Sequence, residues 1–122
     1  MAEGCLIVED NDLIREILEE YIERLDLPYR SVRNGIEAMD ACNDYIPSCI
    51  ILDWHMPNMD GVEFLTRLRK MEGGNRPHII FCSCDDLSGH RSMLKEFGIS
   101  AYIIKPVKFN DIEDVMKRLN VL

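Results

Sequence analysis

Five polar residues of this 122-residue chain could share one piece of chemistry: Glu9, Asp10, Asp53, Ser83 and Lys105. Each follows a short apolar run: LIV before Glu9-Asp10, CIIL before Asp53, HIIFC before Ser83 and AYII before Lys105. Clustered carboxylates resist joint ionisation, and a hard divalent cation removes that conflict. Mg²⁺ takes a few protein oxygens together with waters and a phosphate oxygen, so an incomplete carboxylate cage suits it. Asp53 would then be a nucleophile able to accept a phosphoryl group as an acyl phosphate. The charge on the transferring oxygens calls for a cation and hydrogen-bond donors, which Mg²⁺, Lys105 and the Ser83 hydroxyl supply as chemical types. Taken singly, each residue is a weak signal. Glu9-Asp10 reads as an acidic pair leading a helix, Ser83 as a turn residue or cap, Lys105 as surface charge and Asp53 as a loop acid. Their joint placement carries the argument.

That placement depends on five expected strands, Cys5–Val8, Tyr29–Val32, Cys49–Leu52, His78–Cys82 and Ala101–Ile104. Three are continuously apolar, as strands covered on both faces are. Helical patterns lie between them. Leu13, Ile14, Ile17, Leu18, Tyr21, Ile22 and Leu25 recur at helix spacing behind a cap at Asn11 or Asp12. Asn34-Gly-Ile-Glu37 and Asp60-Gly-Val-Glu63 resemble capping boxes. Ser88 and Gly98 bracket a short helix with Met93, Leu94 and Phe97. Asn110 is the expected cap of the last helix, which turns Ile112, Val115, Met116 and Leu119 inward. Five β-α repeats predict an α/β fold with one parallel sheet between two helical layers. Ligands of such sheets sit beyond the carboxyl ends of the strands, and four of the five expected strand ends carry the polar residues above.

Composition narrows the function classes. Fourteen Lys and Arg against 22 Asp and Glu give a net charge of −8. A surface this acidic repels phosphate backbones and anionic lipid, so no nucleic-acid partner is expected. Arg67, Arg69 and Lys70 read as a solvated helix face. No apolar run approaches the ~20 residues of a membrane span, and Met1-Ala2-Glu3-Gly4 lacks a basic leader. The expectation is a cytoplasmic domain over 1–122 with neither membrane insertion nor an output domain. Five cysteines at irregular spacing suit reduced, buried thiols at Cys5, Cys49 and Cys82. A zinc site from Cys82, Cys84, His78 and His90 matches no usual ligand spacing.

The segments LIVEDN (6–11), IILDWHMPNMDG (50–61), IIFCS (79–83) and AYIIKP (101–106) together resemble a two-component response-regulator receiver domain over the whole chain. The D-x-x-M-P-x-M-D-G stretch is the most specific element. The resemblance implies a flavodoxin-like (CheY-like) three-layer sandwich, (βα)5, with strand order 2-1-3-4-5. It implies Asp53 as phosphoryl acceptor, Ser83 and Lys105 as phosphoryl contacts, and Mg²⁺ (Mn²⁺ as substitute) held by Glu9, Asp10, Asp53 and the His55 carbonyl. It also implies a switch pair, Ser83 and Tyr102, acting on the face of helix 4, strand 5 and helix 5, and a cis bond before Pro106. The implied donor is a sensor histidine kinase or histidine phosphotransfer protein. A downstream protein target reads the switch, in a chemotaxis-type response or as a phosphorelay intermediate, and the chain is a monomer or weak dimer.

There are departures from the family pattern. Glu9 stands where Asp is commoner, Cys84 where a small Ala is frequent, and Val107 where Phe is frequent. His55 and Asp85 occupy the variable positions that tune phosphate lifetime. Two rival classes are weighed: a degenerate receiver acting as a constitutive interaction module, and a small phosphatase. The latter usually needs a second acid two residues past the nucleophile, where this chain has His55. The expectation is therefore no enzyme beyond self-phosphorylation from a donor and autodephosphorylation. Ordinary edge-strand packing competes as a reading of Tyr102, and a loop position beside the site as a reading of Trp54.

Overall fold

The computed structural model describes residues 4–53, 61–84 and 91–122. Strands β1 (Cys5–Val8), β2 (Tyr29–Val32), β3 (Cys49–Asp53), β4 (His78–Ser83) and β5 (Ile99–Ile104) alternate with helices α1 (Asp12–Arg24), α2 (Gly35–Asp44), α3 (Gly61–Arg69), α4 (Arg91–Glu96) and α5 (Phe109–Arg118). All strand pairs are parallel, in the order β2-β1-β3-β4-β5. This is the order expected from the resemblance.

Side chains alternate across a strand, so each apolar run serves two cores. Leu6, Val8, Ile50, Leu52, Ile79 and Phe81 face α2 and α3, where Ala38, Ala41, Cys42, Phe64, Leu65 and Leu68 meet them. Cys5, Ile7, Cys49, Ile51, Ile80 and Cys82 face α1 and α5, against Leu18, Ile22, Ile112, Val115 and Met116. A strand buried on both sides has no polar side to show, which is why these runs read as continuous.

Local chemistry sets the helix ends. Asn11 caps α1, its side chain accepting from the Ile14 N–H at 2.9 Å, and Asn34 caps α2 by accepting from Glu37 at 2.9 Å. Glu37 reaches back to the Arg33 N–H at 2.9 Å rather than to that of Asn34, so the expected capping box is shifted by one residue. The last helix corrects the expectation of an Asn110 cap. The Asp111 carboxylate accepts from the Lys108 N–H at 3.1 Å, so α5 already begins at Phe109 and Asn110 lies in its first turn. Gly98 ends α4 with φ +66°, a region costly for other residues. β5 starts two residues before the expected Ala101: Ser100 accepts from the Ile79 N–H at 3.3 Å, where the β4–β5 register shifts. Leu13 and Ile17, which share the helix spacing, are 67% and 39% exposed; α1 covers the sheet with a narrower stripe than its apolar spacing suggests. Ser88 lies outside the described residues, as does Asp60 of the other expected box.

Arg69 also departs from expectation. Arg67 and Lys70 are exposed, but Arg69 donates to four carbonyls: Phe97 at 3.0 Å, Gly74 at 2.8 Å, and Pro77 and Gly98 at 3.3 Å. One guanidinium thus ties the end of α3 to the turn that closes α4. A lysine keeps the charge but not the fork. Arg69→Lys is expected to cost about 2 kcal/mol, read as a lower urea midpoint at unchanged m-value.

All five cysteines are free thiols, and only Cys84 is exposed. Burial pushes Cys42 up to about 11 and Cys82 up to about 12. The Cys5 thiol is raised well above its usual value, first by its hydrogen bond to Cys49 and then by burial. A maleimide at neutral pH is therefore expected to label one thiol in the folded protein and five in denaturant, counted by intact mass. Rapid labelling of a second thiol in the folded protein would contradict this packing. No described helix is long and apolar enough to cross a membrane.

Candidate functional site at the carboxyl rim of the sheet

Register brings the polar strand ends together. Val8 pairs with Leu52, so the next residues, Glu9 and Asp53, come side by side at the top of the two central strands. Asp53 pairs with Cys82 and Ser83 with Ile104. Ser83 therefore stands one step above Asp53 on the neighbouring strand, and Lys105 follows directly from the end of β5. The Lys105 N–H donates to the Ser83 carbonyl at 2.7 Å, and the next peptide bond, Lys105–Pro106, is cis as expected.

Burial is unusual for such polar groups. Glu9 is 1%, Asp53 7% and Ser83 1% exposed, while Asp10 is exposed. One carboxylate oxygen from each of Glu9, Asp10 and Asp53 lies within 4.8 Å of the others. The Lys105 ammonium bridges two of the acids, at 3.1 Å from Glu9 Oε1 and 3.2 Å from Asp53 Oδ1. The other Glu9 oxygen accepts from the Asn11 N–H at 3.1 Å, and Arg15 donates to the Glu9 carbonyl at 3.1 Å. Residue types and spacing carried no sign of these two supports, because each pairs a side chain with a main-chain group, which any residue carries.

The electrostatics follow from this geometry. Burial, and then the neighbouring Asp53 charge, raise the Glu9 carboxyl above its usual range, against the pull of the Asn11 N–H and Lys105. For Lys105, burial opposes the charge, but Asp53 and Glu9 more than offset it, and its pKa rises. Three clustered carboxylates thus stand beside one ammonium, which contacts two of them. The donor set is all oxygen, compact and net negative, and it fits a hard divalent cation. The Glu9 side chain belongs to this cluster directly, so its extra methylene relative to Asp does not take it out of reach.

Of the remaining expected residues, Tyr102 is half-buried on β5 and, like Met93, Leu94 and Phe97, packs against the core beneath α2 and α3. It pairs with Phe81, and alternation places it on the same side of the sheet as Ser83. His55, Asp85 and Trp54 lie outside the described residues. The zinc alternative finds no support in the described geometry. His78 begins β4, at the far end of the strand from Cys82 and Cys84, and His90 is not among the described residues. The one metal-type cluster among the described residues is the acidic one.

Comparison with known proteins identifies the family. A family model described as response regulator receiver domain matches residues 5–117. The chain is 35% identical over 121 residues to the positive alginate biosynthesis regulatory protein of Pseudomonas aeruginosa, covering 94% of this chain and 46% of that protein. It is 31% identical to the chemotaxis protein CheY of Halobacterium salinarum over 120 residues, 95% of each chain. It therefore spans about half of the first relative and nearly all of the second. Among solved structures, the Vibrio cholerae chemotaxis response regulator CheY4 superposes with a TM-score of 0.88 at 21% identity, over 95% of this chain and 97% of that one, a likeness of fold. The receiver domain of the Pseudomonas aeruginosa sensor histidine kinase PA1611, with magnesium coordinated in its active-site cleft, gives 0.85 at 25% identity over 98% and 99%. The match runs through all five strands and takes in Glu9, Asp10, Asp53, Ser83 and Lys105, and the chain belongs to the response regulator receiver domains of two-component systems.

Proposed function

We propose that this receiver works as a phosphorylation switch, accepting a phosphoryl group on Asp53 from a phospho-histidine. The observation that carries the proposal is the Lys105 ammonium held between two buried acids, Glu9 and Asp53, at the open end of the sheet. Glu9, Asp10 and Asp53 would hold Mg²⁺, with the His55 carbonyl, and Mn²⁺ could take its place. When bound, the ion supplies positive charge to the transferring phosphoryl oxygens. The residues do the rest. An Asp53 carboxylate oxygen attacks phosphorus; the P–O bond forms as the P–N bond to the donor imidazole breaks, and the bonding pair returns to that nitrogen. Lys105 leaves its apo partners' shared oxygens for the incoming phosphoryl oxygen, and the Ser83 hydroxyl donates to another.

The same reading supplies the output. Ser83 moves toward the phosphoryl group, Tyr102 on the same side of the sheet turns inward, and the α4–β5–α5 face changes shape. That face is open: Ile104 is 48% exposed, and it borders Asp111, Asp114 and Arg118 of α5. A coupling of ~1–3 kcal/mol is enough to bias binding of a downstream protein. The donor is a sensor histidine kinase or a phosphotransfer protein, the setting is cytoplasmic, and turnover is limited to self-phosphorylation and autodephosphorylation.

Intact mass after incubation with acetyl phosphate tests the core of this reading. One added phosphoryl group with Mg²⁺, and none with a chelator, is the expected result. An unmodified chain under conditions that label a control receiver would leave a constitutive interaction module.

A further inference from the structure

Lys105 can bridge Glu9 and Asp53 only while the chain on both sides of it is held. On the strand side, its N–H donates to the Ser83 carbonyl at 2.7 Å. On the other side the chain turns through Pro106 to Val107, and the Val107 carbonyl accepts from the Tyr21 hydroxyl at 3.2 Å. Tyr21 sits in α1, 86 residues away in sequence. Its ring meets Phe109 edge-on, with centroids 5.7 Å apart at 68°. The guanidinium of Arg24, one turn further along α1, lies 3.9 Å over the same Phe109 ring. The residues after Lys105 are therefore fastened to α1 at two points, a hydroxyl on Val107 and an aromatic contact on Phe109. The same helix holds the other side of the site, where Arg15 donates to the Glu9 carbonyl at 3.1 Å.

We propose that Tyr21 is a positioning residue for Lys105: its hydroxyl, by fixing Val107, sets where the ammonium stands relative to Asp53. The inference rests on the function proposed above, but part of its test does not. Tyr21→Phe keeps the ring on Phe109 and removes only the hydroxyl, so it separates positioning from packing. Glu9 and Asp10 directly follow β1 and Asp53 ends β3, so the backbone that carries the acids does not depend on this loop.

Three readouts on wild type and Tyr21→Phe decide the matter. The first is Mg²⁺ affinity by calorimetry, expected not to fall, since no acid of the cluster bonds to Tyr21 and a displaced Lys105 ammonium opposes the ion less. The second is the rate of phosphoryl incorporation from acetyl phosphate at saturating Mg²⁺, expected to fall about fivefold, the worth of one hydrogen bond. The third is the ¹³C signal of the Lys105 ε-carbon in ¹³C-lysine-labelled, metal-free protein, assigned with Lys105→Met. It is expected to move toward the signals of exposed lysines in Tyr21→Phe. A slower rate with a moved Lys105 signal and no loss of Mg²⁺ affinity supports the proposal. An unmoved Lys105 signal overturns it whatever the rate does, and so does a joint fall of rate and metal affinity. If wild type takes up no phosphoryl group, the proposed function fails, while the Lys105 signal still decides whether Tyr21 positions it.

Discussion

Asp53→Asn is expected to take up no phosphoryl group from acetyl phosphate under conditions that modify the wild type to one group per chain. The amide keeps the shape and position of the carboxyl at the end of β3, which is 7% exposed and wedged between β1 and β4. It removes the nucleophilic anion, and Glu9 is not free to take over. Glu9 is 1% exposed with one oxygen on Lys105 and the other on the Asn11 N–H. Asp10 is exposed at the rim of the cluster. The substitution also removes one negative charge from three clustered acids, so Mg²⁺ affinity should fall about tenfold or more by loss of a ligand charge, while circular dichroism stays that of the wild type. A modified Asp53→Asn chain would place the chemistry elsewhere.

Lys105→Met is expected to reduce the rate of phosphoryl incorporation by about 10²–10³-fold, the usual loss when one fixed donor to a developing charge is removed. Methionine keeps most of the length and the apolar stem but leaves Glu9 and Asp53 without their shared cation. The stability effect has a defined sign. The folded pKa of Lys105 is raised, so its stabilising contribution is present below the unfolded lysine value of about 10.4 and is lost only as pH climbs through the higher folded value. The metal-free variant should therefore be less stable than wild type at neutral pH. The Glu9 carboxyl is raised already by burial and by Asp53 and rises further without Lys105. The deficit should thus shrink as pH falls through the Glu9 range. Unfolding in urea at pH 7 and pH 5 measures both points; equal deficits at the two pH values would contradict the charge argument.

The parts of this structure legible in the sequence are those that depend on local pattern. Continuous apolar runs gave β1, β3 and β4 almost to the residue, because strands between two helical layers must be apolar on both sides. The polar residues at their ends then stood out against that background, so Glu9, Asp10, Asp53, Ser83 and Lys105 could be grouped before any geometry was known. What stayed hidden was set by tertiary contacts. Ile99 and Ser100 looked like a connection after Gly98, yet they join β5 because Ser100 meets β4 where the register shifts. Arg69 sits in a basic run that reads as solvated, and only the folded chain brings four carbonyls to it. Leu13 and Ile17 fit the helical spacing as well as Leu18 and Ile22 do, but only a narrow stripe of α1 is covered and they lie outside it. Tyr21 fitted the apolar stripe of α1, and its hydroxyl bond to a carbonyl far along the chain has no signature in spacing.

The site also explains why each of its residues was a weak signal alone. Glu9 and Lys105 are 96 positions apart and Asp53 and Lys105 52. Their partnership is a property of the sheet order, in which β1 and β3 are neighbours and β5 follows β4. Only the fold turns three acids and a lysine into one electrostatic unit.

The most direct test of the account is to locate the phosphoryl group. Wild-type protein is incubated with acetyl phosphate and Mg²⁺, treated with borohydride to reduce the acyl phosphate to an alcohol, digested and sequenced by mass spectrometry. The account predicts a single reduced residue, Asp53, absent when Mg²⁺ is chelated. Reduction at Asp10 or Glu9, or a stable phosphate on Ser83, would contradict it.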